Sequence, residues 1–131
     1  MDLTGNRDVD TTAAALAARA EDAARALYQR TAGQAEEESI ADADEVHRML
    51  GSLKLVVENL ARCLPELNTW LEQRMWSGTL GKGDDASFDE LTKSTFEVAA
   101  ALARAHRMSA QLGRELQAAQ TASRELAAKT T

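Results

Sequence analysis

Large aromatic side chains are scarce in this chain, at 4% of 131 residues, and alanine is abundant. That scarcity excludes a globule packed round bulky residues and favours thin, closely approaching helices. A single cysteine, Cys63, rules out an intrachain disulfide and a thiolate metal cluster. One proline, Pro65, leaves long stretches without an obligatory break. No apolar run approaches the roughly 20 residues a membrane-spanning helix needs, so no membrane insertion is expected. Basic residues are outnumbered 15 to 21 by acidic ones, a net charge of −6, and such a surface repels polyphosphate. Nucleic acid is therefore not an expected partner. Residues Met1 to Asp10 lack the basic and apolar regions of a signal peptide. The expected compartment is the cytoplasm, although export without a cleaved signal would leave the same record.

What the chain does have is heptad spacing. One ladder runs Ala43, Val46, Leu50, Leu53, Val57, Leu60, Leu64, Leu67, Leu71, and a second runs Phe88, Leu91, Thr95, Val98, Leu102, Ala105, Ser109, Leu112, Leu116, Ala119, Ser123, Leu126. Alternating steps of three and four place each set on one narrow seam, the geometry of knobs-into-holes packing. The expected fold is all-α: a long antiparallel, coiled-coil-like hairpin of helices over about 36–75 and 87–128, with a shorter helix over about 12–32 packed on one end.

The punctuation agrees with that layout. Asp10, Thr11 or Thr12 can cap the first helix and Gly33 ends it. Glu36, Glu37 and Glu38 suit the start of the second. Pro65 is read as a kink within that helix, the alternative being two helices that meet at Leu64. From Ser77 to Ala86 three glycines and no periodicity mark the connecting loop, and Ser87 with Glu90 forms a capping box. Gly113 costs the last helix up to about 1 kcal/mol relative to alanine unless a neighbour uses the space. A hairpin symmetric about the loop pairs Leu71 with Leu91, Leu60 with Leu102, Leu50 with Leu112 and Val46 with Leu116, and a shift by one heptad aligns the ladders equally well.

A further apolar column, Met49, Val56, Cys63 and Trp70, repeats every seven residues beside the leucines. Three apolar columns suit a helix with neighbours on two sides, as in a four-helix bundle. Val56, Cys63, Trp70, Trp76, Leu80 and Phe96 are therefore the candidate interface residues, because the hairpin alone gives them no partner. The expected partner is protein, a second copy or a partner helix, in a homo-oligomer.

No chemistry-bearing constellation rises above this. His47 and His106 fall on different layers and make no metal pair. The acidic residues from Glu36 to Glu45 spread round a helix start, which is ordinarily a solvated face. Gly81-Lys82-Gly83 lacks the order of a phosphate loop and is followed by Asp84 and Asp85. Arg104, Arg107 and Arg114 are interleaved with acidic residues and read as ion-pair partners. No catalytic residue, metal or cofactor is expected, and the chain is read as a non-enzymatic assembly module. A small-ligand-sensing bundle, with Trp70, Met75 and Trp76 near Pro65, is the alternative from another class; nothing polar converges there to orient a ligand.

Trp76-Ser77-Gly78 is a Trp-x-Gly tripeptide at the junction of two long antiparallel helices. The chain here resembles the WXG family of helical hairpins handled by type VII secretion. The resemblance covers at most residues 36–129, makes Trp76 and Gly78 the motif residues, and implies pairing of hairpins into four-helix dimers. The chain departs from the family in its additional first helix, its longer loop and the lack of a Tyr-x-x-x-Asp/Glu signal near residue 131, Tyr28 being the only tyrosine.

Overall fold

The structure, a computed structural model, describes residues 11–33, 40–78 and 88–130. Helix α1 spans Ala13–Thr31, α2 spans Ala43–Ser77 and α3 spans Phe88–Lys129. No strand occurs among the described residues. The chain divides into two compact units, Met1–Asp42 and Ala43–Thr131.

In the first unit, Thr12 is the N-cap of α1: its Oγ1 accepts from the Ala15 N–H at 3.2 Å. At the other end the Ala32 N–H donates to Tyr28 O, the Gly33 N–H donates to Arg30 O, and Gly33 takes φ +71°. That left-handed conformation, open to glycine without a Cβ penalty, closes the helix. Arg25 pairs with Glu21 and Asp22 on the exposed surface. None of the residues of α1 is buried.

In the second unit α2 and α3 pack as an antiparallel helical hairpin, with 35 and 42 residues in the two arms. Helix α2 opens at Ala43 rather than at the glutamate run, because residues 40–42 are not helical. Asp42 then stands immediately before the helix with Glu45 three residues on, the residue types of a capping box. Residues Glu36 to Glu38, Ser87, Leu80 and the Gly81-Lys82-Gly83 run lie outside the described residues.

The seam between the arms differs from the leucine ladders. The buried residues of the pair are Ala61, Met75, Thr95, Gly113, Ser123 and Ala127. Leu60, Leu67, Val98, Leu112 and Leu126, all rungs of the ladders, are exposed. The ladder rungs Thr95 and Ser123 are buried and Leu50, Val57, Leu64, Leu71, Leu102 and Leu116 half-buried, so the seam keeps part of each ladder and adds the columns of Ala61 and Met75 on α2 and of Gly113 and Ala127 on α3. Small side chains permit the closest approach of two backbones, and that approach selects the column that faces inward.

The register also differs from the symmetric pairing, by about one heptad. A Cβ on Gly113 would lie 3.9 Å from Val57 Cγ1, one on Gly51 would lie 2.6 Å from Gln120 Nε2, and His47 meets Ser123. Leu50 therefore lies opposite the region of Gln120, not Leu112.

Two histidines join the arms. His47 Nδ1 lies 2.8 Å from Ser123 Oγ and 3.1 Å from Gln120 O, while the Ser123 hydroxyl donates to Gln120 O at 2.8 Å. His106 Nδ1 lies 3.0 Å from Ala61 O. A carbonyl only accepts, so Nδ1 of His106 carries the proton. This contact accounts for Pro65, which sits inside the unbroken α2. Proline has no N–H, so the carbonyl four residues earlier, that of Ala61, loses its helical donor. His106 supplies the replacement from the other arm.

Candidate interaction surface

The two sides of the hairpin differ in chemistry. Along one side runs a shallow groove lined by Lys54, Glu58 and Arg62 of α2 and by Arg114 and Gln117 of α3. It continues past Pro65 and Asn68 on α2 and Ala103, His106 and Arg107 on α3. Lys54 Nζ pairs with Glu58 at 3.2 Å within it. This side is mixed: Leu64, Ala99 and Leu102 line the groove with the charged residues, and Leu55, Trp76 and Phe96 are exposed on the columns that flank it.

The opposite side is apolar. Successive helical residues turn by about 100°, so the columns that line the groove place two other columns of each helix on the far side. On α2 these are Leu53, Leu60 and Leu67, with Met49, Val56, Cys63 and Trp70 beyond them. On α3 they are Val98, Ala105, Leu112, Ala119 and Leu126, with Ala101, Met108, Glu115 and Ala122 beyond. Leu60 is 51% exposed, Leu67 52%, Trp70 49% and Leu112 49%. Leucines held on a helix with half their surface in water are the feature that marks a docking face, since a monomer's own core would cover them.

The candidate residues divide between these sides. Val56, Cys63 and Trp70 share one column at the edge of the apolar side, and all three are exposed. The Arg74 guanidinium sits 4.9 Å from the centre of the Trp70 ring, a cation–π contact that holds the indole at the surface. Trp76 and Phe96 do not join them. Each continues, at steps of seven, a column that lines the groove: Trp76 that of Arg62, and Phe96 that of Ala103. Trp76 instead pairs with Phe88 across the turn, ring centroids 6.1 Å apart and planes inclined at 54°. Gly78 follows the end of α2 with φ +77° and donates its N–H to Met75 O. The Trp-x-Gly tripeptide is thus the C-terminal closure of α2, with glycine where the backbone is left-handed.

Leu60, Leu67, Val98, Leu112 and Leu126 are the surface residues that periodicity alone assigns to the seam. Their signal was present in the sequence: the apolar stripe of α2 is three columns wide, and a single facing helix covers about two. Among the described residues no group of three His, Cys, Asp or Glu side chains is placed to hold a metal ion. No described helix is long and apolar enough to cross a membrane. No protein-family model, curated protein or solved structure matches the chain. The arrangement presents an apolar strip on one side of the hairpin and a shallow groove of mixed character on the other.

Proposed function

We propose that this protein is a non-enzymatic interaction and assembly module that associates with itself through the apolar side of the α2–α3 hairpin. The row of half-exposed Leu60, Leu67, Trp70 and Leu112 carries this reading. Among the described residues the buried hydrophobic ones are Ala61, Met75 and Ala127, so much of the large apolar surface of the two arms is left open for a partner to cover. Covering each half-exposed leucine contributes on the order of 1 kcal/mol, so a strip of four or five outweighs the loss of freedom on association only when they act together. Light scattering of the full chain beside Leu60→Glu tests the reading. The parent chain should have at least twice the monomer mass at tens of micromolar, and the variant should approach monomer with its helicity retained. A monomeric parent chain would remove the proposal.

A second reading rests on the turn. Trp76 and Gly78 occupy the closure of α2, where the resemblance to WXG hairpins requires them, with Gly78 left-handed and Trp76 against Phe88. Under this reading the hairpin is a substrate or chaperone-type partner of a type VII secretion route. A coding neighbourhood holding neither a second small hairpin protein nor a secretion ATPase would leave the tripeptide a plain helix-ending motif.

A further inference from the structure

The two halves of the apolar side have opposite relief. The α2 half is tall at Met49, Leu53, Leu67 and Trp70 and lower at Val56 and Cys63, and the α3 half is low at Ala101, Ala105, Ala119 and Ala122 and tall between them at Met108 and Leu112. Resting on the self-association proposed above, we infer that the occupant is a second copy related by a two-fold axis parallel to the helices. Helix α2 of each copy then lies over α3 of the other, and the Ser77 and Phe88 ends of both copies sit together.

The register inside one hairpin fixes the register between copies. Rotation about an axis parallel to the helices moves nothing along them. Each level of α2 therefore meets, in the second copy, the same level of α3 that it meets in its own. Those levels follow from His47 opposite Ser123 and Val57 opposite Gly113. Carried along the arms, they set Trp70 over Ala101, Leu67 over Ala105, Leu53 over Ala119 and Met49 over Ala122. A large side chain meets a small one at these four levels and again where Cys63 comes over Met108, while Leu60 comes over Leu112 at the centre; alternation of large and small is how facing layers interdigitate. Charge follows the same levels: Arg74 comes level with Glu97, and Glu66 with Arg104, opposite signs at the rim that favour this pairing over others.

The competing two-fold axis lies across the helices. It places α2 on α2 and α3 on α3, so that the tall columns collide and the alanines leave a gap, and it sends the two Ser77 ends to opposite extremes. Both arrangements are isologous and closed, so symmetry alone does not choose between them. The distribution of large and small residues does.

Pulsed electron–electron spin resonance on the full chain separates the outcomes. In Cys63→Ser, Lys93→Cys carries one nitroxide per copy at an exposed position beside the Phe88 end. With the like ends together, diagonal helices at the usual interaxial spacing place the two labels about 30 Å apart. With the ends opposed, the rise along α3 puts them beyond about 50 Å. A dimer showing the shorter distance supports the arrangement. A dimer, or a larger assembly, showing only the longer one overturns it and leaves self-association standing. A labelled chain that remains monomeric at tens of micromolar overturns both. Trp70→Ala combined with Ala101→Trp is the second check: the swap should restore association that Ala101→Trp alone weakens at least tenfold, and failure to restore it would also contradict the pairing.

Discussion

His106 donates its Nδ1–H to the carbonyl of Ala61, 3.0 Å away, the carbonyl that Pro65 leaves without a helical donor. A helix interrupted by proline is thereby completed from the opposite arm. The coupling predicts non-additive mutations. His106→Ala should destabilise the hairpin by about 1–2 kcal/mol by leaving that carbonyl unsatisfied. In a Pro65→Ala background, where an N–H at residue 65 can reach it, the same change should cost about 1 kcal/mol less. A double-mutant cycle by urea unfolding measures this, and strictly additive values would mean that the two residues act independently.

The two interior glycines of the hairpin should respond unequally to alanine. A Cβ on Gly113 meets only ordinary contact, 3.9 Å from Val57 Cγ1, so Gly113→Ala should raise stability by up to about 1 kcal/mol through helix propensity. A Cβ on Gly51 would lie 2.6 Å from Gln120 Nε2, so Gly51→Ala must displace that amide and should gain less than Gly113→Ala. Thermal unfolding of the two variants at equal concentration ranks them; equal gains would show that the Gln120 amide shifts freely.

These positions also show what could be read in advance. The three helices and the hairpin are legible because heptad spacing is a local signal. The seam is only partly so: the ladder rungs Thr95 and Ser123 are buried, but periodicity places Leu60 and Ala61, or Leu112 and Gly113, on adjacent columns without saying which faces the neighbour. Hydrophobicity favours the leucines for the inside, whereas backbone approach favours Ala61, Gly113, Ser123 and Ala127. Val56, Cys63, Trp70, Trp76 and Phe96 are all exposed, but they lie on two sides of the hairpin, and periodicity does not say which side another chain covers. The His106 contact spans 45 residues of chain and leaves no local trace.

Helix α1 buries none of its residues. Deleting residues 1–33 should therefore leave self-association within about threefold of the full chain, because the proposed interface belongs to α2 and α3. Sedimentation of the truncated chain checks this. Complete loss of association, with the helicity of the hairpin retained, would move the interface to α1.

Substitutions along the apolar side should act on association far more than on helix content. Trp70→Ala should weaken it by about 2 kcal/mol or more, roughly thirtyfold in Kd, as expected of a large aromatic that becomes desolvated. Arg62→Ala, on the groove side, should change it by less than threefold. A concentration series by sedimentation equilibrium gives both values. Similar effects from the two would mean that both sides are engaged.

The account stands most directly on whether Trp70 leaves water when copies of the chain meet. In the Trp76→Phe variant Trp70 is the sole indole, and its emission maximum and acrylamide quenching can be followed on dilution from about 100 to 1 micromolar. The predicted result is a blue-shifted, poorly quenched indole at high concentration that turns red-shifted and accessible on dilution, in step with the loss of dimer mass. An indole equally accessible across the series, or dimer mass lost with no change at Trp70, would contradict it.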